Sequence, residues 1–204
     1  MLKGIHWLGH ASFRLDGAST VYIDPWKLLT APPADIILIT HEHHDHLSPE
    51  DIARITKLDT VVVCPASCAN KLRGDVRVVK PGQTVIIGEV TVRAVPAYNT
   101  NKPNHPYAAG HLGYVVQMDG CRVYHAGDTD LIPEMAEIGC DVALLPVGGT
   151  YTMTAEEAAG ALGLIRPEYA IPMHYGEVVG SQSDAERLRS LAPDDVEVVL
   201  LKKE

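Results

Sequence analysis

Residues 41–46 read His-Glu-His-His-Asp-His, so four of the chain's 10 histidines fall in one short run behind Thr40. Neutral imidazole beside carboxylate is the donor mix that zinc and its transition-metal neighbours take. The run follows Asp35-Ile-Ile-Leu-Ile-Thr40, an apolar stretch of strand length, and precedes Leu47-Ser48-Pro49-Glu50-Asp51. In that second stretch Ser48 reads as a helix N-cap, Pro49 as N1 and Asp51 as N3. The cluster is therefore expected on a strand-to-helix turn at the C-terminal edge of a buried strand, where open sheets present their pockets. A purification tag has a similar composition, but it would lie at a terminus with no apolar strand leading into it.

Ligand-type residues recur at other strand exits. Val123-Tyr124-His125-Ala126-Gly127-Asp128-Thr129 delivers Asp128 just past an apolar run, with Gly127 permitting close backbone approach. Ala170-Ile171-Pro172-Met173-His174-Tyr175 delivers His174 in the same way. One lone histidine is more often structural than a ligand, whereas three such exits converging on one sheet rim point to a metal centre.

The elements that would position these residues alternate in a regular manner. Short strands are expected at 4–8, 11–15 and 20–23, with Asp16-Gly17 as a tight-turn signal. Strand 36–40, helix 48–57, strand 60–64, a short helix near 66–73 and strands 76–79, 84–87 and 90–95 follow. Residues 96–111 carry three prolines and little apolar content, and a loop of that length in a compact domain is often functional. Strands 113–118 and 122–125 flank Asp119-Gly120, and strand 142–146 leads to Gly148-Gly149. Thr154 and the acidic first turn Glu156-Glu157 open a helix to Ile165. Strand 169–173, helix 183–191 and strand 196–201 close the chain. Hairpins first, then strands alternating with helices, without a Ser-, Pro- or charge-rich linker, predict one α/β domain over 1–204 with mixed sheets and outer helices.

Composition narrows the functions. The chain has 204 residues, a net charge of −9 and no lysine- or arginine-rich stripe, which argues against a nucleic-acid binder that works by counterion release. No apolar run approaches a membrane span. No charged-then-apolar leader opens the chain, so a cytoplasmic location is expected. Cys64, Cys68, Cys121 and Cys140 form no C-x-x-C pair and read as reduced core thiols.

Taken together, His41-x-His43-x-Asp45-His46, Gly127-Asp128-Thr129 and His174 resemble the metallo-β-lactamase superfamily of metal-dependent hydrolases. Trp7-Leu8-Gly9-His10-Ala11-Ser12 and Ile23-Asp24-Pro25 extend the resemblance over nearly the whole chain. They make it most similar to small hydrolases near the ascorbate-6-phosphate lactonases. The resemblance implies a four-layer αββα sandwich of two mixed sheets with a dinuclear site at one edge. His41 and His43 would hold the first ion. Asp45, His46 and His174 would hold the second, with Asp128 bridging, while His44 stands at a variable position. Thr40, Asp24 and His10 would support these ligands, Asp24 by fixing an imidazole tautomer. The chain departs from the family at Asn99, which stands at the strand end where relatives place a third histidine for the first ion. An amide oxygen is a weaker, harder ligand, and His105 or His111 could fold back instead. Pro103 and Pro106, which restrict the backbone around His105, favour His105.

A mechanism follows from that centre. A water shared by two divalent ions, zinc first with manganese, iron or nickel as alternatives, would have its pKa brought towards neutrality and supply hydroxide. Asp45 and Asp128 hold the catalytic ions, and His125, His10 and Tyr175 are candidate proton donors or oxyanion partners. The expected reaction is cleavage of an ester, lactone or phosphodiester. A phosphodiesterase or nuclease and a non-catalytic metal-binding sensor are the rivals. Lys102 in the long loop suggests a small anionic substrate. A homo-oligomer is left open.

Overall fold

The structure is a computed structural model that describes residues 2–204. Its first sheet comprises β1 (Ile5–Gly9), β2 (Ser12–Asp16), β3 (Thr20–Ile23), β4 (Ala34–Leu38), β5 (Thr56–Cys64) and β6 (Asp75–Val78), hydrogen-bonded in that order. The second comprises β7 (Thr84–Ile87), β8 (Val90–Pro96), β9 (Leu112–Met118), β10 (Cys121–His125), β11 (Val142–Pro146), β12 (Tyr169–Met173) and β13 (Glu197–Val198), also neighbours in chain order. Both sheets are mixed, and they share a grammar. β1 to β3 pair antiparallel before β3 to β6 run parallel. Likewise β7 to β10 pair antiparallel before β10 to β13 run parallel. This internal echo lies in topology and leaves no residue repeat in the sequence.

Alternation along the strands decides which face is buried where. Ile36 and Leu38 of β4 join Val92, Tyr114 and Leu144 of the second sheet in one core between the sheets. Ile37 faces the other way and packs with Ile52, Ile55 and Cys68. These come from α1 (Pro49–Ile55) and α2 (Ala66–Ala69), which cover the outer face of the first sheet. On the second sheet, α3 (Ala155–Ile165) and α4 (Gln182–Leu191) bury Ala158, Ala161, Leu162 and Leu188. The four-layer αββα order expected from the sequence is therefore present.

Local signals placed most elements. Ser48 Oγ accepts from Asp51 N at 3.3 Å, with Pro49 opening α1. Thr154 and Glu157 form a reciprocal capping box on α3. Asp119 and Gly120 both sit at positive φ (51° and 75°), as a tight hairpin turn requires. Differences fall at element ends. The helix after the histidine run stops at Ile55 because Thr56 caps it and immediately starts β5. The expected strand 196–201 pairs only through Glu197–Val198. Beyond Val199 the chain leaves that edge and crosses to the first sheet, where Glu204 N reaches the Trp7 carbonyl at 3.1 Å. Cys64, Cys68 and Cys140 are buried and free, and burial pushes their thiols up to about 11, 12 and 12. No described helix is long and apolar enough to cross a membrane.

Candidate metal centre

The run 41–46 leaves β4 through Ile39 and Thr40 and folds as one tight turn, because the amides of His46 and Leu47 both donate to the His43 carbonyl (3.1 and 2.8 Å). Its imidazoles and Asp45 converge inwards, while His44 swings out with its side chain 83% exposed. Asp128 arrives from the exit of β10. Gly127 makes room there: a Cβ at that position would lie 2.6 Å from the Leu112 carbonyl oxygen. His174 arrives from the exit of β12, and His10 from the β1–β2 turn. The two are joined by a 2.9 Å bond from His174 N to the His10 carbonyl.

Two groups of donors form around Asp128. In the first, His43 Nδ1 stands 3.0 Å from His41 Nε2 and 3.2 Å from His105 Nε2. Nitrogens bound tetrahedrally to one zinc ion would stand about 3.3 Å apart, given Zn–N lengths of roughly 2.0–2.1 Å. In the second, His10, Asp45, His46 and His174 bring one ligand-type atom each to within 4.8 Å of one another. Asp128 Oδ1 lies 3.3 Å from His46 Nε2, and its Oδ2 lies 3.1 Å from His174 Nε2 and 3.3 Å from His105 Nε2. The carboxylate thus faces both groups. His46 Nε2, His174 Nε2 and Asp128 Oδ1 are buried without a hydrogen-bond partner. Buried polar atoms are rarely left so, and this set fits divalent cations in donor type, number and spacing.

The electrostatics agree. Burial alone would raise the Asp128 carboxyl, but His174 and His46 outweigh it and hold the group well below the usual range. Burial would lower His46, yet Asp128 and Asp24 outweigh it and hold that imidazole well above its ordinary value. His41 is pushed well down by burial and by His46. Burial lowers His105 to about 4, which leaves it neutral and available as a ligand. For Asp45, the His10 hydrogen bond and the charge of His46 overcome burial and bring its carboxyl down.

Supporting contacts fix the rings. Asp24 Oδ2 accepts from His46 Nδ1 (2.7 Å) and from the Thr40 hydroxyl (2.6 Å), and Asp24 Oδ1 accepts from Thr40 N (2.8 Å). The Thr40 oxygen in turn lies 2.9 Å from His41 Nδ1. One carboxylate and one hydroxyl therefore present two Nε2 atoms to the site. His10 Nε2 sits 3.0 Å from Asp45 Oδ2. His10, Asp24 and His174 all hold left-handed backbone (φ 50°, 47° and 59°), a conformation that costs most side chains energy and that clusters at functional sites.

Several expectations are corrected by these contacts. Asn99 is no ligand: its carbonyl oxygen accepts from His105 N and faces His105 Nδ1 (both 3.0 Å), and its amide nitrogen donates to Asp130 and to the Tyr151 carbonyl. His105 itself takes the vacant place in the first group. His125 cannot serve as a proton donor, because Nε2 reaches the Ala11 carbonyl (2.8 Å) and Nδ1 accepts from Gly127 N (3.1 Å), leaving neither ring nitrogen for a substrate. Tyr175 stacks on Trp7 with ring centroids 5.0 Å apart. Lys102 donates to Asp130 at 2.6 Å, so its charge is already paired. His111 lies beside His41 with both ring nitrogens unpartnered, its Nε2 3.4 Å from Glu42 Oε2.

A cavity of about 210 Å³ opens over the donors. Beyond them and His44 it is lined by Asn104, Tyr151 and Val178, which the sequence reading missed. A usable signal existed: Tyr151 follows the Gly148-Gly149 exit of β11, and Val178 follows His174 on a loop flanked by Gly176 and Gly180.

Comparison with known proteins agrees with this geometry. Residues 4–174 match the family described as the beta-lactamase superfamily domain. A protein of Archaeoglobus fulgidus named UPF0173 metal-dependent hydrolase is 40% identical, covering 97% of this chain and 95% of its own length. A crystal structure from Parabacteroides distasonis, provisionally named a metal-dependent hydrolase, superposes with a TM-score of 0.88 at 36% identity over 98% of this chain and 93% of the other. The structure of Igni18, named a metallo hydrolase of Ignicoccus hospitalis, gives 0.79 at 27% identity over 98% and 94%. With its fold, its donor clusters and its relatives in accord, the chain belongs to the metallo-β-lactamase superfamily, among the proteins named metal-dependent hydrolases.

Proposed function

We propose that the protein hydrolyses an ester, lactone or phosphodiester bond of a small molecule with the help of two divalent metal ions, zinc being the natural first choice for this donor set. His41, His43 and His105 would hold the first ion, Asp45, His46 and His174 the second, and Asp128 both. The observation that carries this reading is the Asp128 carboxylate, buried and facing the two donor groups at once. Bound ions would supply an acidified water as nucleophile and a Lewis-acid hold on the bond under attack. The chain's own residues do the rest. Asp24 and Thr40 keep the ring protons of His46 and His41 on the side away from the cavity. His10 steadies Asp45, and Tyr151 and Val178 flank the substrate.

Because Lys102 is paired with Asp130, support for an anionic substrate reduces to the positive charge of the ions themselves. A missing third histidine at Asn99 would favour a sensor without catalysis, but with His105 in place the first donor group keeps three imidazoles. The test is metal analysis followed by turnover of a lactone panel and a generic phosphodiester, with ions stripped and then restored. Metal-dependent turnover of one class supports the proposal. Full metal loading with no hydrolysis of any member would return the protein to a binding role.

A further inference from the structure

The first donor group depends on a residue outside it. The loop 97–111 sends His105 into the site, and a chain of polar contacts runs behind that ring. Asp130, 1% exposed, accepts from Lys102 Nζ (2.6 Å) and Asn99 Nδ2 (3.0 Å) on one oxygen and from the amides of Thr100 (2.8 Å) and Asn101 (3.3 Å) on the other. The Asn99 amide nitrogen also meets the Tyr151 carbonyl at 2.9 Å. Both neighbours on that side are acceptors, so that side must be the NH2. The oxygen then faces His105 N and His105 Nδ1, each at 3.0 Å. An oxygen there requires a proton on Nδ1, which leaves the Nε2 lone pair for the cavity. A second bond, from Asn99 N to the His105 carbonyl at 2.7 Å, clamps the two residues together.

From this we infer that Asn99, backed by Asp130 and Lys102, is the positioning residue of the first metal site, setting the tautomer of His105 and thereby the occupancy of that site. The inference rests on the two-ion reading above. It also explains the departure at position 99: the donor has moved from the strand end to the loop, and the strand-end residue has become its orienter. The second site, whose ligands come from strand exits and the 41–46 turn, does not depend on this device. Its occupancy should survive the device's loss.

The experiment is a cobalt(II) titration of the metal-stripped full chain, followed by visible absorption, with His105→Ala as the reference for a chain lacking the first site. Outer ligands of this kind typically control metal affinity by about 10–100-fold. Asn99→Leu should therefore bind one equivalent as wild type does and the other about 10–100-fold more weakly, with a spectrum that matches that of His105→Ala until the weaker equivalent fills. Asn99→Ala removes the same oxygen without adding bulk, should show the same loss, and decides alone if Asn99→Leu does not fold. Wild-type affinity for both equivalents in the Asn99 variants, or equal weakening of both sites, would overturn the inference. A wild-type chain that takes up a single equivalent would instead refute the two-ion reading.

Discussion

Asp24→Asn isolates the contribution of one carboxylate that touches no ion. The position has φ 47°, where asparagine is as well tolerated as aspartate, and the side-chain volume hardly changes. What changes is a single oxygen. Asp24 Oδ1 can keep the Thr40 amide (2.8 Å), but Oδ2 becomes an NH2 facing the Thr40 hydroxyl (2.6 Å) and His46 Nδ1 (2.7 Å). The hydroxyl can rotate to accept. The ring can accept only by giving up its Nδ1 proton and keeping one on Nε2, the atom 3.3 Å from Asp128 Oδ1 that should face the second ion. Binding then has to reverse that tautomer, and affinity at the second site should fall about 10–100-fold, or roughly 1.4–2.7 kcal/mol. The metal-free fold loses a charge-assisted bond to a buried ring, about 2 kcal/mol. For a chain of this size that corresponds to a melting point lower by roughly 4–8 °C. Competition with a chromophoric chelator reads the affinity, and a melt of the stripped protein reads the stability. Unchanged affinity at both sites together with an unchanged melting point would refute the reasoning.

Three further outcomes are expected. Stripping the ions should lower the melting temperature, because ions held only by the folded centre stabilise it and their loss leaves His46 Nε2, His174 Nε2 and Asp128 Oδ1 buried without partners; no shift, with no metal in the untreated protein, would dismiss the centre. Asp128→Ala should abolish binding at both sites, whereas His105→Ala should abolish one, and the reverse order of damage on a metal titration would contradict the bridging role. Near pH 7 the second ion should displace about one proton, from His46, whose pKa is raised, while His105 at about 4 contributes none. Apparent affinity at the second site should therefore weaken as pH falls. In the metal-free fold the sign is opposite: protonated His46 stabilises at low pH, and that stability is lost as pH rises through its raised pKa. Calorimetry in buffers of different ionisation heat counts the protons.

The legible part of this protein was its local part. The continuous apolar run 36–39 and the caps at Ser48 and Thr154 placed elements within a few residues, because both signals lie within a short stretch of chain. The exits at His41, Asp128 and His174 could be named for the same reason. The loop 97–111 was not legible: its ring orientations depend on Asp130, Tyr151 and His43, which lie up to 62 positions away in the chain. His125 misled because its type and its place at a strand end match those of a ligand. The Ala11 carbonyl, from the β1–β2 turn, and the Gly127 amide tell it apart.

Left-handed backbone at His174 has a consequence for anyone who would improve this protein. The position costs a side chain on the order of 1–2 kcal/mol, both of its ring nitrogens are buried without a hydrogen-bond partner, and glycine would relieve the strain at the expense of the imidazole. Selection for heat resistance in the absence of metal would therefore favour replacing this residue. Selection under metal-replete conditions would keep it, since occupancy rewards the same residue that the empty fold penalises. The choice of medium during directed evolution would thus decide whether a stabilised descendant is still able to bind its ions.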